Sequence, residues 1–296
     1  MLLSIIIVSF NTKKLLEKCL ESIFSQTKAD FEVIVVDNAS KDASLEMVNK
    51  KFTQVKTVQN AENVGFGAAN NQGAKVASGK WLLFLNSDTE LTDNTIDTVF
   101  ASINKDENSK SKVYGCTLLN GDGSIQPSAG FFPTLGRVFA QLLFLDDLPF
   151  IKTTVNPYQQ NWLGFYQKDR EVDWITGAYL LLPKAKFAKV GGFDESIFMY
   201  GEEIDLCYRL KQNGISVTFL HKPRLFHYKG ASSEDGFKAA VVGEYKGLVT
   251  FYKKHHPSKL PLLKVALYLG ALLRIAVFGI INQKKATAYR AALEVL

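Results

Sequence analysis

Ser4-Ile5-Ile6-Ile7-Val8-Ser9 and Glu32-Val33-Ile34-Val35-Val36 are two short β-branched runs, and the chain between them is patterned as a helix. Across residues 13–24 the apolar positions Leu15, Leu16, Cys19, Leu20 and Ile23 recur at helical spacing. Strand, helix and strand in that order predict two parallel strands joined by a crossover helix. The first run lacks the basic n-region and small-residue cleavage site of a signal peptide, and its β-branched residues end in a polar turn. It reads as the first buried strand.

The alternation continues outward from this unit. Helices are expected at 44–52, 68–77 and 92–103, a loop at 60–67 and a strand at 81–85. Through about residue 115 this is an α/β pattern: a Rossmann-like, mostly parallel open sheet with helices on both faces. Ligands of such sheets sit beyond the carboxyl ends of the strands. The polar residues just past each strand are therefore candidates: Asn11, Asp37-Asn38, and Asn86-Ser87-Asp88. Further on, 121–133 holds turn residues, 135–151 is unusually apolar and 156–170 reads as a loop. A strand at 174–182, a turn at Gly191-Gly192, a helix at 202–212 and a strand at 217–220 follow, leading to His221 and His227. Three parts are expected: 1–115, 116–245, and a basic, apolar helical tail over 246–296.

The 296 residues carry a net charge of +6, and that charge is unevenly distributed. From Lys246 to Leu296 nine basic residues face one acid, a local charge of +8 that leaves residues 1–245 at −2. The body is thus no basic nucleic-acid binder. Hydrophobic residues at 47% and charged residues at 22% exclude a disordered or collagen-like chain. Three separated cysteines, Cys19, Cys116 and Cys207, offer neither a disulfide framework nor zinc spacing, and fit a reducing, cytoplasmic compartment.

Two clusters carry chemistry. In Asn86-Ser87-Asp88, two short polar side chains one residue apart can face a common ligand, and a hard divalent cation takes such oxygens. An ordinary Asx turn is the competing reading. In Gly201-Glu202-Glu203-Ile204-Asp205 the acids open a helix, where its dipole favours them. Phe193, Phe198, Met199 and Tyr200 precede them, so a carboxylate there can be desolvated and made more basic. Asp205 reads as structural. His227, after a strand and before Gly230-Ala231-Ser232, suits a metal or phosphate, with a satisfied structural histidine as the alternative.

Taken together these segments resemble the family 2 glycosyltransferases, inverting enzymes of the GT-A fold. The resemblance spans roughly residues 3–233 and runs through six pieces in order. Ser4 to Asn11 is similar to the family's opening strand, and Glu32 to Ser40 to its second, whose terminal acid Asp37 would contact the nucleotide base. Asn60 and the run Asn63-Val64-Gly65-Phe66-Gly67-Ala68-Ala69-Asn70 resemble the loop and helix beside the donor. Leu85-Asn86-Ser87-Asp88 occupies the DxD place, while Trp174-Ile175-Thr176-Gly177-Ala178 and Gly191-Gly192-Phe193-Asp194-Glu195 resemble acceptor-side segments. The pattern is closest to the branch with bacterial rhamnosyltransferases of cell-surface polysaccharide assembly.

The resemblance implies a nucleoside-diphosphate sugar donor, such as dTDP-rhamnose, and a glycan or lipid-linked glycan acceptor. It implies donor contacts from Ser9, Asn11, Asp37, Asn63, Gly65, Asn70, Asn86 and Asp88, acceptor contacts from Trp174, Thr176 and Gly177, and Mg²⁺ or Mn²⁺ on Asp88 and His227. The sequence departs from the family twice. Asn86 replaces the first DxD acid, leaving Asp88 as the charged ligand. Glu203 stands where the family has its aspartate base, with Glu202 as the alternative.

Residues 262–281 form a mostly apolar stretch about 20 residues long, the length of a membrane span, interrupted by Lys264 and Arg274. On a helical wheel these charges lie about 80° apart. Val265, Leu269, Leu272, Leu273, Ala276 and Ile280 gather opposite. An interfacial helix, with its basic face toward anionic headgroups, is expected on the inner face of the cell membrane. A core helix packed on the body is the alternative, and the tail also offers a homo-oligomeric contact. The 135–151 stretch is expected to join the membrane, line a lipid-acceptor groove or form a buried helix. Rival functions are a sugar nucleotidyltransferase, for which the turn Ser9-Phe10-Asn11-Thr12 lacks a Gly-rich basic loop, and a catalytically silent nucleotide-sugar-binding scaffold.

Overall fold

The computed structural model describes residues 2–145, 148, 156–228 and 236–296. Part of the 135–151 stretch and the Gly-Ser loop after His227 lie outside the described residues. The chain order begins β1 (Leu3–Ser9), α1 (Lys13–Gln26), β2 (Phe31–Asp37), α2 (Ser44–Lys51), β3 (Lys56–Gln59), α3 (Phe66–Val76) and β4 (Trp81–Asn86). It continues with β5 (Thr89–Leu91), α4 (Thr95–Ile103), β6 (Lys112–Leu119), β7 (Ile125–Gln126), β8 (Ala129–Gly130) and α5 (Leu135–Leu142). Then come β9 (Arg170–Val172), β10 (Trp174–Ile175), β11 (Tyr179–Pro183), α6 (Lys184–Lys189), α7 (Glu202–Gln212) and β12 (Ser216–His227). Three helices close the chain: α8 (Gly236–His255), α9 (Leu260–Ile281) and α10 (Gln283–Leu293).

The main sheet runs β3-β2-β1-β4-β11-β6-β12-β5, with β7 added to β6 and β9 to β12. β1 is parallel to β2 and β4, β2 to β3, and β6 to β12, whereas β11 runs antiparallel to its neighbours. The sheet is continuous across residue 115, which lies inside β6.

Strand periodicity of two sorts the apolar residues to opposite faces. Ile6, Ile34, Val36, Leu82 and Phe84 join the core under α3, α6, α7 and α8, while Ile5, Ile7, Val33, Val35, Leu83 and Leu85 join the core under α1, α2 and α4. Because both faces are covered, the strands read as unbroken apolar runs. Ser9 pairs with Asp37, and Val8 with Asn86, so the polar strand ends form one ledge.

Two strand boundaries differ from the sequence reading. The expected strand over 174–182 is two strands: β10 pairs with β8 in a separate ribbon, and β11 pairs with β4 and β6. The chain switches sheets at Thr176-Gly177, where the Thr176 N–H donates to the Ser128 carbonyl at 2.9 Å. A Cβ at Gly177 would sit 3.0 Å from the Phe66 ring. β12 runs past the expected end at 220 to His227, with its pairing to β6 shifting between Leu220 and Arg224. Pro223, which has no N–H for the ladder, lies in that irregularity. Beyond the bulge the strand sets His227 opposite Thr89 of β5.

The tail is packed on the body. α8 passes so close to Tyr200 and Gly201 that a Cβ at Gly247 would lie 2.5 Å from the Tyr200 carbonyl oxygen. α9 buries Leu263, Ala266, Leu267, Gly270 and Ala271, while Leu262, Val265, Tyr268, Leu269, Leu272, Leu273 and Ile280 are exposed. Arg274 does not reach outward as expected. It is only 7% exposed, donates to the carbonyls of Gln141 (2.5 Å) and Leu142, and stacks 4.4 Å from the Phe144 ring centroid. The last carbonyls of a helix have no intrahelical partner, and the guanidinium supplies one to α5. Lys264 is likewise bound, to the Leu296 carbonyl.

Candidate active site

The ledge at the carboxyl ends of β1, β2 and β4 is tied laterally by short side chains. Ser9 and Thr12 hydroxyls lie 3.0 Å apart, and Thr12 donates to Ser87 at 3.0 Å, joining the ends of β1 and β4. Ser9 is fully buried beneath the ledge. Asn11, at φ 55°, holds the next turn: its N–H donates to Ser40 Oγ (3.0 Å) and its Oδ1 accepts from the Lys41 N–H (2.7 Å). Asp37 accepts the Ser40 N–H at 3.0 Å through Oδ2, while its buried Oδ1 has no partner. Such an oxygen is costly to bury unless a donor meets it.

Next to it, Asn38 Nδ2 donates to Asn63 Oδ1 (3.1 Å) and to the Gly65 carbonyl (3.2 Å). Asn63 Oδ1 also accepts the Gly65 N–H at 3.0 Å. Gly65 has φ 86°, and a Cβ there would lie 2.5 Å from the Phe198 carbonyl oxygen. That carbonyl accepts the Phe66 N–H at 2.9 Å, which brings the start of α3 against the segment leading into α7. Asn70 donates to the Phe66 carbonyl (3.0 Å) and leaves its buried Oδ1 unpartnered.

Asn86, Asp88 and His227 meet at the end of β4. His227 Nε2 lies 3.2 Å from Asn86 Nδ2 and 3.3 Å from Asp88 Oδ1. The backbone ties the group together, with the Tyr228 N–H donating to the Asp88 carbonyl at 2.9 Å. One imidazole nitrogen and one carboxylate oxygen side by side form a donor set that fits Mg²⁺ or Mn²⁺. Among the described residues no third His, Cys, Asp or Glu joins them. An ion held here would complete its shell from ligand or water.

The acids Glu202 and Glu203 open α7 after Tyr200 (φ 70°) and Gly201 (φ 96°) turn the chain. Glu202 is 5% exposed and its Oε2 has no partner. Burial, and then the neighbouring Glu203 charge, push its carboxyl well above the usual range. Glu203 accepts the Gly201 N–H at 3.2 Å, and burial raises its carboxyl too, against that bond. One turn on from Glu203 along α7, Cys207 accepts a bond from the Ile175 backbone of β10. There the Trp174 indole N–H donates to the Phe131 (3.2 Å) and Tyr158 (3.1 Å) carbonyls. Thr176 and Gly177 follow at the sheet switch.

Asp205, three residues into the same helix, has the opposite setting. It is fully buried, bonded by Arg209 (2.7 Å), His255 (2.7 Å) and Lys254 (2.9 Å). Burial raises its carboxyl, but Arg209, His255 and Lys254 together hold it below the usual range. Lys254 also pairs with Asp194 at 2.6 Å, so it is bound to the body rather than free for lipid.

Residues 4–132 match the family model described as Glycosyl transferase family 2. The chain carries a glycosyl transferase family 2 domain. Residues 164–231 match a second model, described as the N-terminal domain of galactosyltransferase. The chain is similar to an N-acetylglucosaminyl-diphospho-decaprenol L-rhamnosyltransferase of Mycobacterium tuberculosis, 26% identical over 265 residues, covering 86% of this chain and 85% of the relative. It is similar to the Escherichia coli rhamnosyltransferase WbbL, 26% identical over 245 residues, covering 80% of this chain and 87% of the relative. In fold it resembles the Pyrobaculum calidifontis mannosyltransferase PcManGT in complex with GDP-Man and Mn²⁺. That likeness has a TM-score of 0.61 at 14% identity and covers 99% of this chain and 85% of that one. The protein is a glycosyltransferase of GT-A architecture.

Within the transferase, sequence reasoning singled out every residue of the Asn86–Asp88–His227 group but missed the one behind it. Gln126 of β7 accepts from His227 Nδ1 at 2.6 Å. The turn Asn120-Gly121-Asp122-Gly123-Ser124 is a hairpin signal that brings β7 back onto β6, and this signal could have found it.

Proposed function

We propose that the transferase moves a sugar, rhamnose from dTDP-rhamnose being the leading candidate, onto a hydroxyl of a lipid-linked or polysaccharide acceptor with inversion. The observation that carries this is the joined ledge: Asp37 with a free buried oxygen at one end and Asp88 beside His227 at the other. A nucleotide spans such a ledge with its base toward Asp37 and Asn11 and its diphosphate toward Asp88. The rhamnosyltransferase names of the two relatives support the sugar. Mg²⁺ or Mn²⁺ on Asp88 and His227 would supply positive charge to the diphosphate leaving group.

Glu203 acts on the acceptor side. Its raised carboxyl, once ionised, takes the proton from the acceptor hydroxyl as that oxygen bonds to the anomeric carbon. The bond from that carbon to the diphosphate breaks on the opposite face, and the nucleoside diphosphate leaves. One displacement inverts the centre. Trp174, Thr176 and Gly177 line the acceptor approach. A panel of nucleotide sugars, tested for metal-dependent binding and slow hydrolysis, should show preference for dTDP-rhamnose. Binding of no sugar nucleotide would contradict the reading.

The tail holds the enzyme at the inner face of the cell membrane. Pro257–Ile281 is long and apolar enough to cross a bilayer, with mean hydropathy 1.9. Its inner face is occupied by the body, which favours lying on the surface over spanning it. Val265, Leu269, Leu272 and Leu273 would enter the lipid, with exposed Lys253, Lys259 and Lys284 near the headgroups. Flotation with phosphatidylglycerol vesicles should be lost in a Leu269→Glu, Leu272→Glu variant that keeps hydrolysis. Equal flotation of both proteins would contradict docking by this face.

A further inference from the structure

Gln126 is buried in β7, opposite Leu118 of β6, and both ends of its amide are committed. Its Nε2 donates to the His227 backbone carbonyl at 3.1 Å and to Asn120 Oδ1 at 2.8 Å. A backbone carbonyl can only accept, so this contact fixes which end of the amide is nitrogen. The other end, Oε1, therefore faces His227 Nδ1 at 2.6 Å, and an amide oxygen can only accept. Nδ1 must carry the proton.

The consequence falls on the other ring nitrogen. In the neutral imidazole, a proton on Nδ1 leaves Nε2 with its lone pair, facing Asp88 Oδ1 at 3.3 Å and Asn86 Nδ2 at 3.2 Å. Asn86 fits this arrangement because its amide N–H can donate to that lone pair, which a carboxylate in its place could not do. Free neutral imidazole has no such constraint, and the opposite tautomer would point an N–H into the site and remove the ligand.

We infer that Gln126 is a positioning residue that locks the His227 tautomer, so that Nε2 and Asp88 together accept a divalent cation. This rests on the metal reading given above. Outer partners of ligating histidines act in this way on other metal sites, and losing one lowers metal affinity about 10–100-fold.

The test uses the full-length protein with dTDP present. Nitrogen-15 long-range NMR reads the His227 tautomer in the metal-free protein, and EPR counts free Mn²⁺ in a titration. The wild type should show Nδ1–H. The near-isosteric Gln126→Met should lose that preference and bind Mn²⁺ about 10–100-fold more weakly. Gln126→Glu, which keeps an acceptor toward Nδ1 but loses the donor to the His227 carbonyl and Asn120, should retain the Nδ1–H tautomer that Gln126→Met loses. Thermal melts check that both variants fold. Nε2–H in the wild type, or unchanged tautomer and Mn²⁺ affinity in Gln126→Met, would overturn the inference. The metal reading is tested separately by Asp88→Ala and His227→Ala. If these leave Mn²⁺ binding unchanged, that reading fails and the inference fails with it. If they weaken it while Gln126→Met does not, the inference fails alone.

Discussion

The ledge of strand ends and the first turn of α7 treat their acids in opposite ways. On the ledge, Asp37 is braced by the Ser40 N–H and Asp88 sits beside His227, within a lattice of Ser, Thr and Asn bonds. At the start of α7, Glu202 is buried and Glu203 half-buried, with little to compensate either carboxylate. The first arrangement suits a site that must hold charge in place. The second suits one that must pull a proton away. The contrast is sharpened inside α7 itself, where the Arg209 charge and hydrogen bonds from His255, Lys254 and Arg209 hold Asp205 below the usual carboxyl range. An acid's position in sequence does not set its chemistry; its partners do.

The largest effect on stability is expected at the compensated acid. Asp205→Ala leaves Arg209 and Lys254 facing each other without their anion, and should cost about 3–5 kcal/mol in chemical denaturation. A loss under 1 kcal/mol would mean the cluster is not a buried ion pair. Next is the contact between tail and active site. Gly247→Val forces a side chain into the Tyr200 carbonyl, and should cost about 1–3 kcal/mol while lowering kcat more than donor affinity. Unchanged kcat would show that α8 does not hold the Glu202–Glu203 turn.

The smallest effect is in the pH dependence of stability, where the two kinds of acid have opposite signs. Asp205 has a lowered folded value, so its contribution is present above its unfolded value near 3.8 and fades as pH falls. Glu202 has a raised folded value, so its contribution is present below about 4.5 and is lost as pH rises toward the folded value. Glu202→Gln should therefore flatten the decline in melting temperature above pH 4.5. An identical pH profile in wild type and variant would remove the claim that Glu202 is uncompensated.

Much of the ledge was legible because it is local. Apolar runs such as Ile5-Ile6-Ile7 fix buried parallel strands, and the polar residue ending each run must fall at a strand end. His227 was found by its place after a strand, although the strand itself was underestimated: its expected end at 220 falls at the bulge that holds Pro223, beyond which β12 resumes. The tail misled through the helical wheel. The wheel sorted α9 into faces correctly, but it could not show that the carbonyls ending α5 would claim Arg274. Gln126 was missed for a similar reason: its role depends on β7 returning to β6 and on His227 arriving beside it from far along the chain. Local periodicity carries strands and helices. Contacts made across the sheet by single polar side chains carry no such signature.

The proposed transfer depends on where the acceptor proton goes. The most direct measurement is the turnover of Glu203→Gln with dTDP-rhamnose and an acceptor glycan, alongside its affinity for the donor. Turnover should fall on the order of 10²-fold or more with donor affinity unchanged, because the amide keeps the shape but cannot take a proton. Near-normal turnover would contradict Glu203 as the base and move that role to Glu202 or another group.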